Sequence, residues 1–70
     1  MHLLLVEDDK RLARALTRLL EEDRHVVEHA ADGRTGIELA GAIDGLDAVI
    51  LDIGLPDMSG LDVARAIRGD

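Results

Sequence analysis

The stretch Ala48-Val49-Ile50-Leu51-Asp52 is a run of four apolar residues closed by a carboxylate. An apolar run of this length without alternation suits a strand buried on both faces, the usual state of strands in parallel sheets. An acid at the C-terminal end of such a strand stands where open α/β sheets hold their ligands, in the crevice beyond the strand ends. Asp52 is therefore the first candidate functional residue. Leu3-Leu4-Leu5-Val6, followed by Glu7-Asp8-Asp9, has the same form far away in sequence. If the two runs are neighbouring parallel strands, their ends lie side by side, and Asp8, with Glu7 or Asp9, faces Asp52 across one groove. Carboxylates crowded in this way repel one another, so the site calls for a cation.

The bulk properties narrow the setting. The chain has 70 residues, no Cys, no aromatic residue and a formal net charge of −7. That is at most one small domain, and a marginal one by surface-to-volume scaling. Without Cys there is neither a disulfide framework nor a thiolate metal site, which fits a reducing compartment. The N-terminal apolar run is too short for a signal peptide or a membrane span, so the expected location is the cytoplasm, with no membrane contact. The acidic balance argues against this segment gripping nucleic acid, because phosphate binding is driven by Lys and Arg. The absence of Phe, Tyr and Trp removes stacking platforms for bases and most anchors of a hot-spot interface. The core is left to Leu, Ile, Val and Ala.

Working outward from the two acidic ends, His2 to Val6 reads as a first strand. Lys10 to Glu22 carries Leu12, Leu16, Leu19 and Leu20 on one helical face, with Arg11, Arg14, Arg18 and Glu22 toward solvent. Asp8 or Asp9 can cap this helix, which is the ordinary structural role for either acid alone. His25 to Ala30, with its β-branched pair Val26-Val27, reads as a second strand entered through the charged turn Glu21-Glu22-Asp23-Arg24. His25 and His29 would lie about 13 Å apart on a strand, too far to share a metal ion. Asp32-Gly33 marks a turn and helix start, and Thr35 to Ala42 is a second helix in which Gly36 and Gly41 each cost about 1 kcal/mol relative to Ala. Asp44-Gly45 is the next turn, leading into the strand from Asp47 to Leu51. After Asp52, Pro56 disfavours helix in the loop from Ile53 to Gly60. Ser59 with Asp62 resembles a capping box opening a third helix, whose Leu61, Ala64 and Ile67 form an apolar stripe. That helix ends or continues at Gly69-Asp70.

Alternating strands and helices imply a parallel sheet with right-handed crossovers and helices on both faces. For both acidic ends to meet, the first strand must be central. The expected fold class is α/β, a flavodoxin-like parallel sheet limited to (βα)3 with strand order 2-1-3.

The pieces Leu4-Leu5-Val6-Glu7-Asp8-Asp9, Leu51-Asp52-Ile53-Gly54-Leu55-Pro56 and Ser59-Gly60-Leu61 resemble the receiver domain of two-component response regulators, and the likeness runs through the whole chain. They look most like the subgroup whose receiver precedes a winged-helix DNA-binding domain. The resemblance implies that Asp52 is the phosphoacceptor, taking a phosphoryl group from a phosphohistidine of a sensor histidine kinase. It implies that Asp8, Asp52 and the backbone carbonyl of Gly54 ligate Mg²⁺, with Glu7 assisting through water. Such a module is a signalling phosphoacceptor that assists its own phosphotransfer, and it meets DNA only through a further domain. Mg²⁺ prefers about six oxygens and keeps several waters, so two carboxylates and a carbonyl make a sensible partial shell.

A full receiver has five strands and five helices, and residues 1–70 supply the first three of each. The hydroxyl residue after the fourth strand, the Lys after the fifth and the switching aromatic of the fifth have no counterpart here. The expectation for the 70 residues alone is Mg²⁺ binding without the complete switch, marginal stability and self-association through the open edge of the third strand. Two other functions are carried alongside. A Mg²⁺-dependent phosphohydrolase would use Asp52 as nucleophile, but it wants a second acid where Gly54 stands; a degenerate receiver would serve protein contacts alone. A dinucleotide or flavin domain is disfavoured, because acids occupy the turn after the first strand where a pyrophosphate needs glycines.

Overall fold

The computed structural model describes residues 1–69, so Asp70 lies outside the description. The elements are β1 (His2–Val6), α1 (Lys10–Glu22), β2 (Val26–Ala30), α2 (Gly33–Ala42), β3 (Ala48–Leu51) and α3 (Gly60–Arg68). The strands form one parallel sheet in the order β2-β1-β3, with Leu4 opposite Glu28 on one side and Val49 on the other. This is the flavodoxin-like arrangement expected, with β1 central. Reversal of strand order at β1 sends α1 to one face of the sheet and α2 and α3 to the other.

The caps explain where the helices begin. Asp9 caps α1, its Oδ1 accepting from the amides of Arg11 (3.0 Å) and Leu12 (3.1 Å). Ser59 caps α3 through Oγ, which accepts from the Leu61 amide at 3.1 Å, and Gly69, left-handed at φ 84°, ends it. The second helix starts at Gly33 rather than Thr35 because Asp32, in an extended conformation, accepts from the Thr35 amide at 2.7 Å. The strands β2 and β3 each begin one residue later than His25 and Asp47. His25 still belongs to the turn, its amide donating to Leu20 O at 3.1 Å.

Alternation along β1 divides the core. Leu4 and Val6 point to the α2/α3 face and join Ala30, Leu55 and Val63 in one buried cluster, with Ile37, Val49, Leu51, Met58 and Ile67 packed around it. Leu3 and Leu5 fill the other face, on the side of α1, where Ala13 is also buried. Gly36 has a packing reason that offsets its helix cost: a Cβ there would stand 2.9 Å from Val6 Cγ2. The absent side chain lets α2 lie directly on the central strand.

Two expected stripes are corrected. In α1 the innermost residue is Ala13, while Leu12 and Leu19 are 46% and 60% exposed. In α3 the fully buried residue is Val63, and Leu61 is 61% exposed. The place facing the sheet is taken by Ala13, one residue from Leu12, and by Val63, two residues from Leu61. On the α1 side β3 is also uncovered, leaving Ala48 and Ile50 exposed. Among the described residues no helix is long and apolar enough to cross a membrane.

Candidate functional site

Both acidic ends arrive at the same place. The amide of Asp52 donates to Val6 O at 3.0 Å, which extends the β1–β3 ladder by one bond and sets Asp52 beside the turn that follows β1. On the other side the Glu7 amide donates to Ala30 O, also at 3.0 Å. The carboxylates of Glu7, Asp8 and Asp52 consequently converge, with one oxygen of each within 4.8 Å of the others. Asp9 does not join them, since its side chain is committed to the α1 cap. The choice left open between Glu7 and Asp9 as the companion of Asp8 is resolved by that cap.

The three acids differ in environment. Glu7 is buried, at 8% exposure, Asp52 is half-buried and Asp8 is exposed. The Glu7 Oε2 accepts from the Asp9 amide at 3.2 Å. That bond works to lower the Glu7 pKa, but burial, hydrogen bonding to the Asp52 and Asp8 carboxyls and the charge of Asp52 outweigh it and leave the group above its ordinary 4.5. Burial contributes most to the rise, and the neighbouring carboxyls add to it. Hard carboxylate oxygens in such a cluster fit a small divalent cation, and Mg²⁺ in particular takes one or two carboxylates with waters. Gly54 follows on the loop, and its amide donates to Asp52 Oδ1 at 3.2 Å, which orients the carboxylate.

The loop that carries Gly54 is held from two directions. Gly54 and Ser59 form an isolated antiparallel bridge, and the Gly60 amide donates to Ile53 O at 2.9 Å. The second tie was not legible in sequence. Asp57 reaches across to the N-terminus of α2, where its Oδ1 accepts from the Gly33 amide (2.8 Å) and its Oδ2 from the Arg34 amide (3.0 Å). These are amides that a helix start leaves without intrahelical partners, and a carboxylate there also meets the positive end of the helix dipole. The Gly33 bond above all, then the Arg34 bond, holds the Asp57 pKa below its ordinary 3.8.

A depressed carboxylate adds stability that is fully present above its unfolded pKa and is lost as pH falls through the folded one. Asp57→Ala is therefore expected to lower the thermal midpoint at pH 7, and the gap from wild type should close as the pH is brought well below 3.8. Circular dichroism melts across that range check it; a gap that does not change with pH would remove the ionic tie.

Each histidine has a partner of its own. His25 Nδ1 lies 2.9 Å from the N-terminal amine, His2 Nε2 lies 3.1 Å from Glu28 Oε2, and His29 Nε2 lies 2.8 Å from the Glu7 carbonyl.

Residues 3–70 match the family described as the response regulator receiver domain. The chain belongs to that family. Among curated proteins, this receiver sequence is 46% identical over 68 residues to the probable transcriptional regulatory protein SilR of Salmonella typhimurium, covering 97% of this chain and 29% of that protein. It is 40% identical over 68 residues to the cell cycle transcriptional regulator CtrA of Caulobacter vibrioides, again covering 97% of the chain and 29% of the relative. Among solved structures, the response regulator TrrA of Thermotoga maritima, described in complex with Mg²⁺-BeF, superposes with a TM-score of 0.92 at 32% identity, covering 97% of this chain and 58% of that one. The chemotaxis protein CheY4 of Vibrio cholerae superposes with a TM-score of 0.91 at 29% identity, covering 97% and 56%. The receiver sequence thus spans under a third of the length of these curated relatives.

Proposed function

We propose that this receiver is the phosphoacceptor part of a two-component phosphorelay, and that Asp52 takes the phosphoryl group. The observation that carries the reading is the convergence of Glu7, Asp8 and Asp52 at the ends of β1 and β3. In the transfer, an Asp52 carboxylate oxygen attacks phosphorus; the new P–O bond makes an acyl phosphate as the bond from phosphorus to the donor breaks. With a sensor histidine kinase as donor, that broken bond is the P–N bond of a phosphohistidine and the imidazole leaves.

Asp8, Asp52 and the Gly54 carbonyl would hold Mg²⁺, and Glu7 would assist through water. When bound, the ion supplies positive charge that neutralises the acids and the phosphoryl oxygens, the main need of a reaction governed by positioning and electrostatics. The Gly54 amide on Oδ1 keeps the Asp52 carboxylate from rotating. Burial of Glu7 keeps one acid in place beside Asp8 and Asp52. Regulation of transcription, the role in the names of the curated relatives, would be carried by a DNA-binding domain beyond these 70 residues.

Incubation with Mg²⁺ and acetyl phosphate, read by intact mass, tests the reading. An adduct of about 80 Da that requires Mg²⁺ and is absent from Asp52→Asn is the expected result. An adduct that persists in Asp52→Asn would overturn the assignment.

The same chain is proposed to self-associate through β3. That strand is paired on one side only, and Ala48 and Ile50 are exposed along it. An apolar edge of this kind is a template for a further strand. Sedimentation velocity from micromolar to millimolar chain should show a concentration-dependent dimer that Ile50→Lys weakens. A monomer throughout would reject it.

A further inference from the structure

We propose that His29 is a positioning residue for the acidic site, acting through the peptide bond between Glu7 and Asp8. The inference deepens the phosphoacceptor reading and rests on it. The parallel register runs from His2 opposite Val26 to Val6 opposite Ala30, and the Glu7 amide adds one more bond, to Ala30 O. A ladder continued in the same register would bring the Asp32 amide to the Glu7 carbonyl. The chain instead leaves the sheet, with Asp32 as the cap of α2. The imidazole of His29 comes back from β2 and takes that carbonyl, Nε2 to O at 2.8 Å.

The acceptor is a carbonyl oxygen, so Nε2 must carry the proton and donate. Glu7 is then held at three points: its amide by Ala30 O, its carbonyl by His29 and its carboxylate by the Asp9 amide. The middle contact is the one that reaches Asp8. A peptide unit is planar, so fixing the Glu7 carbonyl oxygen fixes Glu7 ψ and, with it, the positions of the Asp8 N and Cα. In a trans peptide the Asp8 amide then leaves on the side away from β2, the side of β3 and Asp52. The point from which the Asp8 side chain departs is thereby set by a side chain on the opposite neighbouring strand. Lys10, Ala13, Arg14 and Ala31 line a surface groove with His29.

The test compares wild type with His29→Leu and His29→Gln by isothermal titration of Mg²⁺, with melts of each protein taken in the absence of the ion. Gln places an amide N–H where Nε2 stands, whereas Leu fills the space without a donor. Mg²⁺ affinity is expected to fall about 10-fold in His29→Leu and to stay within about twofold of wild type in His29→Gln. A purely structural role would move the two melts without this split in affinity. Equal affinity in all three proteins overturns the positioning role, and so does an equal loss in both variants. A wild-type chain that takes up no Mg²⁺ overturns the metal reading instead. The positioning role is then decided by long-range ¹H–¹⁵N NMR of the neutral His29 ring and by the Asp8 and Asp9 amide resonances. A proton on Nε2, with shifts in His29→Leu that His29→Gln does not show, supports it; a proton on Nδ1 rejects it.

Discussion

Gly60→Ala is expected to remove a large part of the stability of this chain, while Gly41→Ala, the same change in a neighbouring helix, should raise it. At Gly60, the first residue of α3, an added Cβ would meet main chain: Asp52 O, Ile53 Cα at 2.7 Å and the Asp52 carbonyl carbon at 3.0 Å. Backbone atoms cannot rotate away as a side chain tip can. Relief requires α3 to lift from the end of β3, which breaks the bond from the Gly60 amide to Ile53 O and draws Val63 out of the core. Overpacking in a well-packed interior costs about 1–3 kcal/mol, and a clash with main chain stands at or above the top of that range. Against a total of about 0.05–0.15 kcal/mol per residue, such a loss is a large part of what a small domain has. Around Gly41 nothing lies within 4 Å of the added carbon. There the gain is the helix propensity of Ala over Gly, roughly 0.5–1 kcal/mol. Thermal melts by circular dichroism check the pair, and a Gly60→Ala midpoint equal to wild type would contradict the close approach. Because the obstructed atoms belong to Asp52 and Ile53, the same variant should also lose the phosphoryl adduct.

The second large effect is on the acidic cluster, where binding and stability are expected to move in opposite directions. Asp8→Asn removes one of three anionic side chains that have oxygens within 4.8 Å of one another. In the absence of metal the change relieves repulsion. Asp8 is exposed, so the gain is modest, ~0.5 kcal/mol on the scale of exposed charge pairs. With Mg²⁺ present the sign reverses. An ion that binds only the folded state stabilises it by about 2.7 kcal/mol at a concentration 100 times its Kd. The variant, with one carboxylate fewer to offer, should forfeit most of that gain. Wild type is therefore expected to melt below Asp8→Asn in chelator and above it in excess Mg²⁺. Melting curves that keep the same order in both conditions would exclude Asp8 as a ligand. Such a crossing would account for three crowded acids in a marginal domain, their repulsion being the cost of a site that a cation would complete.

Much of the architecture is legible in the chain because it follows from local pattern. LLLV and AVIL lack alternation and end in acid, so they announce parallel strands; LLLV is buried on both faces, whereas AVIL is uncovered on the α1 side, where Ala48 and Ile50 are exposed. The requirement that those ends meet is enough to place β1 in the centre, as the sheet order β2-β1-β3 bears out. The caps Asp9, Asp32 and Ser59 are short-range chemistry and stand where their residue types suggest. The limits of such reading are visible in Leu12 against Ala13 and Leu61 against Val63. Periodicity offers more than one apolar stripe to the sheet, Leu61 and Val63 lying two residues apart and Leu12 and Ala13 one. Which of them enters is decided only when the helix packs.

What the sequence by itself determined is the α/β class and the three helices, which rest on period and run length, the nomination of Asp52 and Asp8 with Glu7 or Asp9 by residue type, and the strand order, which followed from requiring the two acidic ends to meet. Only the tertiary structure decided which acids share the site and what holds them. It committed Asp9 to a cap, brought the Asp57 carboxylate to the α2 amides 23 and 24 residues away, seated Gly60 on the Asp52 main chain and carried the His29 ring to the Glu7 carbonyl. These are contacts between segments remote in sequence. Their distances are set by the spacing of sheet and helix layers, a property of the packed molecule that no local pattern encodes.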